Sequence, residues 1–127
     1  MLRVWFFILS VSGCYSAVVQ ATSVAFLNPG KSTEIYWHTY SQFMQAAADD
    51  LGMSLDIRYS ERNPELLLEQ ARELLQGSQR PDYLIFVNER SAGPEILRLS
   101  KDSGVKLFAV GSTLHSNCDP SSTTASS

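Results

Sequence analysis

The chain has 127 residues, 44% of them hydrophobic, with 13 acidic side chains against 10 basic ones and a formal net charge of -3. This profile fits one globular domain and excludes a disordered or fibrous chain. With no dense Lys/Arg surface to neutralise a phosphate backbone, nucleic acid is excluded as a partner on electrostatic grounds.

Residues 1–21, MLRVWFFILSVSGCYSAVVQA, carry one basic side chain at Arg3, an apolar run over residues 4–9 and then small residues, the pattern of an export signal. A membrane span needs about 20 predominantly apolar residues, and this run is broken by Ser10, Ser12 and Gly13. Two cleavage sites compete. The preferred one follows Val19-Gln20-Ala21, and the other, Val11-Ser12-Gly13-Cys14, resembles the bacterial lipoprotein box. The expected location is the periplasm, with a lipid anchor on Cys14 as the alternative. Cys118 has no partner once the signal is removed, so neither a disulfide framework nor a metal site is expected.

The mature part opens with a short strand over residues 23–27 (SVAFL), closed by the turn Asn28-Pro29-Gly30. Ser32 or Thr33 is expected to cap a helix with Tyr36, Tyr40, Phe43, Met44, Ala47 and Leu51 inward, ending at Gly52. Residues 54–60 (SLDIRYS) alternate as a half-buried strand. Asn63-Pro64 then gives a cap and a proline in the first turn of a second helix, which buries Leu67, Leu68, Ala71, Leu74 and Leu75 and stops at Gly77. The apolar run 83–87 (YLIFV) predicts a central strand covered on both faces. Pro94 starts a third helix towards Gly104, and residues 105–110 (VKLFAV) form the fourth strand.

The order βαβαβαβ predicts an α/β domain with a doubly wound, mainly parallel sheet of flavodoxin-like order 2-1-3-4 and right-handed crossovers. Ligands of such sheets bind beyond the carboxyl ends of the strands, where the winding reverses, here between strands one and three. That position singles out residues 28–37 together with Asn88 and Glu89. From residue 112 the chain is polar and rich in Ser and Thr, with no apolar period. An open sheet would normally continue there, so the expectation is an incomplete lobe over residues 22–111 with a disordered polar tail over 112–127, produced by truncation or by a shifted reading frame.

Three groups of residues carry candidate chemistry. Gly30-Lys31-Ser32, within NPGKST, matches the end of a phosphate-binding loop. The earlier glycine of that motif is Ala25, however, and strand three ends in Asn88 rather than an aspartate that would hold Mg²⁺. Tyr36 and Trp37 offer rings that can stack on the apolar face of a sugar, although adjacent aromatics at a helix start are more often packing. Tyr36 fits the apolar stripe, which makes Trp37 the better ligand candidate of the two. Asn88 and Glu89 can hydrogen-bond ligand hydroxyls or simply line a solvated loop. His38 and His115 are isolated, so no metal, cofactor, nucleophile or catalytic carboxylate pair is expected.

SVAFLNPGKSTEIYW, the helix HTYSQFMQAAADDLG, the polar segment YSERNPE and the strand end LIFVNE together resemble the N-terminal lobe of type I periplasmic solute-binding proteins, whose superfamily includes LacI-type effector domains. In ribose-binding relatives an aromatic pair stands at the same distance before a helix ending in Leu-Gly, as Tyr36-Trp37 stands before Leu51-Gly52. The resemblance implies ligand-binding roles for Asn28, Tyr36, Trp37, Asn88 and Glu89. It implies a non-enzymatic receptor for a small solute, a sugar by preference, that serves an ABC permease or a membrane sensor. It weakens at Gly111-Ser112, and the family's second lobe has no counterpart. A phosphate-loop enzyme acting on a nucleotide, and a product without independent function, are the alternatives.

Overall fold

A computed structural model of the chain describes residues 20–89 and 92–111. The expected signal before Gln20, including Cys14, and the tail from residue 112, with His115 and Cys118, lie outside the described residues. Strands and helices alternate as β1 (Ser23–Asn28), α1 (Ile35–Asp50), β2 (Ser54–Tyr59), α2 (Pro64–Gln76), β3 (Tyr83–Val87), α3 (Gly93–Ser100) and β4 (Lys106–Val110). The strands form one parallel sheet in the order β2-β1-β3-β4, as the sequence predicts.

Side chains alternate across a strand, and the register sorts them into two faces. Ala25 lies beside Leu84 and Leu84 beside Leu107, with Leu27 beside Phe86 one step further on. This face carries α2 and α3. Leu67, Ala71, Leu74 and Leu75 of α2 join Ile96 and Leu99 of α3 and the strand residues Ala25, Leu27, Leu84 and Phe86 in one buried cluster. Burial of each leucine there is worth about 1.5–3 kcal/mol relative to exposure. The start of α2 is locally determined, because the Asn63 side chain accepts hydrogen bonds from the Glu65 and Leu66 amides at 2.9 and 3.2 Å and Pro64 occupies the first turn.

The other face carries α1, and here the structure departs from the sequence expectation. The residues α1 buries are Trp37, Ser41 and Ala48, whereas Tyr36, Phe43 and Leu51 of the expected inward stripe are 68%, 73% and 68% exposed. The cause is a polar anchor. Asn28, at the end of β1, donates through Nδ2 to the Trp37 carbonyl at 3.2 Å and to Ser41 Oγ at 3.0 Å, and these bonds fix the rotation of the helix. Tyr40 alone of the stripe's aromatic residues packs inward, its ring 5.6 Å from that of the fully buried Phe26.

Three smaller corrections concern element ends and burial. Glu34, not Ser32 or Thr33, occupies the N-cap of α1, and it makes no side-chain capping bond. Ser32 and Thr33 lie in the preceding turn, closed by the Glu34 amide on the Lys31 carbonyl at 3.0 Å. The helix expected to reach Gly104 ends at Ser100, and the last strand begins at Lys106. β3 buries Leu84 and Phe86 but leaves Tyr83, Ile85 and Val87 half-buried, so only one of its faces is fully covered. No helix among the described residues is long and apolar enough to cross a membrane.

Candidate functional site

The loops after β1, β2 and β3 meet at the carboxyl edge of the sheet. A backbone seam joins the first two: the amides of Ser60, Glu61 and Arg62 donate to the carbonyls of Asn28, Gly30 and Pro29 at 2.9, 3.1 and 3.0 Å. Glu61 and Arg62 adopt left-handed φ values of 53° and 64° to make this seam. Such conformations cost about 1–3 kcal/mol each in non-glycine residues, so the seam holds them against their local preference.

Arg62 ties the loops together by charge. Its Nε and Nη2 donate to Glu34 Oε1 and Oε2 at 3.1 and 2.8 Å, a two-point bridge to the start of α1. Its Nη1 lies 3.9 Å from Oε1 of Glu89 in the third loop. The hydrogen bonds from Arg62 hold the Glu34 carboxyl below the usual glutamate range, and Glu34 in turn raises the Arg62 guanidinium. Both side chains remain reachable from solvent, at 44% exposure for Arg62 and 30% for Glu34.

The sequence-predicted site residues fall in different settings around this edge. Asn28 is fully buried, with both Nδ2 hydrogens engaged by α1 and Oδ1 accepting from the Gly30 amide at 2.9 Å. Trp37, the preferred ring of the pair, is 8% exposed and lies against Gly30, where a β-carbon would overlap the indole. Tyr36 is the ring that faces outward, edge-on to Trp37 with centroids 5.0 Å apart. Within the pair it is Trp37 that is buried and Tyr36, expected in the inward stripe, that is exposed. Asn88 accepts from the Gly93 amide at 2.9 Å through Oδ1 and so supports the start of α3, while Glu89 faces Arg62.

A hollow of about 20 Å³ lies between these loops, lined by Pro29, Ser60, Arg62, Asn63, Pro64, Leu67, Glu89 and Ala92. That space suits a single water. A larger solute does not fit within it; Arg62 and Glu89 stand in its lining, and Glu34 is bridged to Arg62. Glu34 and Arg62 were not singled out from the sequence. The signal was present in STEIYW and YSERNPE, but only the seam brings the two segments together.

The NPGKST loop does not form a phosphate cradle. The Gly30 amide is bonded to Asn28, and the Ser32 amide donates to Glu61 Oε1 at 3.0 Å, placing a carboxylate where a phosphate oxygen would sit. Among the described residues no group of three His, Cys, Asp or Glu side chains is placed to hold a metal ion.

Comparison with known proteins agrees with this architecture. A crystal structure of a periplasmic sugar-binding protein from Pseudomonas fluorescens matches with 63% identity and a TM-score of 0.71, over 73% of this chain and 28% of the other. The chain is the N-terminal part of a type I periplasmic binding protein-like fold. An ABC sugar transporter subunit from Rhodobacter sphaeroides 2.4.1, 20% identical with a TM-score of 0.57 over 68% of this chain and 30% of that one, shares the binding protein-like fold. The chain therefore spans less than a third of the length of either relative. No family model and no curated protein matches it.

Proposed function

We propose that this binding protein-like lobe provides one wall of a sugar-binding cleft in an exported solute receptor that serves an ABC transporter or a membrane sensor. The observation that carries the proposal is the 63% identity with a protein described as periplasmic and sugar-binding. The chemistry of the open edge supports it. Tyr36 offers a ring for the apolar face of a sugar, and the Glu34–Arg62 pair and Glu89 offer acceptors and donors for its hydroxyls. Asn28, Trp37 and Asn88 set the positions of those groups from behind.

A pocket normally buries about 70–90% of a small ligand, which one open wall cannot do. Calorimetry of the chain alone with a panel of pentoses and hexoses should give no binding tighter than about 1 mM, or −4.1 kcal/mol. Tight stoichiometric binding would overturn the one-wall reading. In a chimaera joining residues 22–111 to the remaining part of the Pseudomonas protein, tight sugar binding is expected. Tyr36→Ala and Arg62→Gln should each weaken it by about tenfold or more, equivalent to 1.4 kcal/mol. Unchanged affinity in both variants would remove this edge from the site.

Export through residues 1–21, with cleavage after Ala21, belongs to the same proposal. Fractionation of cells making the chain should find a shortened product free in the periplasm, unaffected by Cys14→Ser. A membrane-bound product released by that substitution would show lipid attachment instead.

A further inference from the structure

At the amino edge of the sheet, the Ala21–Thr22 bond lies directly against the fold. Gln20 and Ala21 are exposed, but the two residues that follow them are bound on both sides. On the β2 side, the Thr22 carbonyl accepts from the Ser54 amide at 3.0 Å. On the β3 side, the Asp82 carboxylate accepts from the Ser23 amide at 2.7 Å and from the Ser23 hydroxyl at 2.9 Å. The Asp82 amide returns the contact, donating to the Ser23 carbonyl at 2.9 Å and to Ser23 Oγ at 3.0 Å. The bonds from Ser23 hold the Asp82 carboxyl below the usual aspartate range, and the Lys106 ammonium adds to this, so the clamp is charged at neutral pH.

The clamp leads straight into the centre of the sheet. Ser23 is the first residue of β1, which is hydrogen-bonded to β2 on one side and to β3 on the other. A peptidase needs the backbone on both sides of the bond it cuts free to pair with its own cleft as an extended strand. Here the amide and carbonyl of Ser23 and the carbonyl of Thr22 are taken by the fold. Freeing the residues beyond them means drawing β1 out from between its neighbours and exposing Phe26 and Leu27, which are fully buried. Cleavage inside ordered structure proceeds from the opened state, so here it needs an opening close to global unfolding.

We propose that folding closes this chain's own processing site: a signal peptidase cuts Ala21–Thr22 only before β1 is seated between β2 and β3, and a chain that folds first keeps residues 1–21. The proposal rests on the export reading, in which this is the bond that is cut. The shielding comes from the absence of any free residue between the bond and the clamp. A leader joined to β1 through several free residues would be removed from the folded chain as readily as from an unfolded one.

The test compares three substrates of signal peptidase I, with the products located by mass spectrometry. The first is the full chain, folded in mild detergent and checked by circular dichroism. The second is the same chain with about six Gly and Ser residues inserted between Thr22 and Ser23, a spacer that reaches roughly 20 Å when extended. The third is a synthetic peptide of residues 12–30, too short to form the sheet. The peptide and the folded spacer chain should be cut after Ala21 at similar rates, and the folded chain without the spacer at least about tenfold more slowly. Equal rates for the two folded chains, whether both fast or both slow, would overturn the proposal. Elastase, which accepts a small side chain before the bond it cuts, repeats the comparison at Ala21–Thr22 independently of any export signal. If signal peptidase leaves the peptide intact while elastase still separates the two folded chains, the export reading falls and the shielding of the bond stands. Equal elastase rates would remove the shielding whatever signal peptidase does.

Discussion

Gly30 has no room for a side chain, because the Trp37 indole occupies the place of its β-carbon. Gly30→Ala must therefore move the indole or the loop, and overpacking of this kind costs about 1–3 kcal/mol. Asn28 stands behind the same contact. Asn28→Ala would strand the buried Gly30 amide and release α1 at two points, an expected loss of about 1–3 kcal/mol. Urea unfolding measures both, and a neutral result for either would mean that the loop relaxes without cost. At the surface, the Arg62 bridge makes a prediction about pH. Glu34 is held below its ordinary value of 4.5 in the fold, so the bridge stabilises the folded state above the ordinary glutamate range, and that contribution is lost as pH falls through the folded value. A carbon-detected NMR titration should place the Glu34 midpoint below 4.5. Arg62→Gln should raise it, whereas an unshifted midpoint in the unsubstituted chain would remove the bridge from solution.

Helices α1 and α2 show which features a single sequence discloses. In α2, the cap at Asn63, the proline after it and the leucine period act within one segment, so the start, the end and the buried row were all legible. In α1 the period is equally clear, but apart from Tyr40 on Phe26 it describes a largely exposed flank. The buried row is chosen by Asn28, which belongs to another element. The same limit hid the Arg62–Glu34 pair, whose members are 28 residues apart in sequence and meet only through the loop seam. The strand order was legible because alternating short strands and helices leave few topologies. Exposure of individual rings was not, since it depends on how far the next layer extends. The two helices therefore predict opposite responses to substitution. Phe43→Gln on the exposed flank should change stability by no more than about 0.5 kcal/mol. Leu75→Ala, in the cluster beneath α2, should cost about 2–5 kcal/mol. A loss above about 1 kcal/mol for Phe43→Gln, relative to the ordinary surface range, would place that flank inside the core after all.

Across the whole molecule the two sheet faces are unequally covered. Among the described residues, one carries α2 and α3 over a continuous buried cluster, and the other carries α1 alone, leaving β3 and β4 half-covered. Local opening is favoured where few apolar contacts must break, so stability should decline across the sheet from β1 towards β4. β1 is hydrogen-bonded to strands on both sides, and its residues from Val24 to Asn28 are buried. β4 has one neighbouring strand, α3 against one face, and Phe108 open on the other. Native-state hydrogen exchange should find the hydrogen-bonded β1 amides opening only with global unfolding. Those of β4 should exchange on the order of tenfold faster or more, through a sub-global step that leaves β1 intact. Equal protection in β1 and β4 would show instead that the four strands open as one unit, and that α3 alone holds the edge as firmly as two neighbours hold the centre.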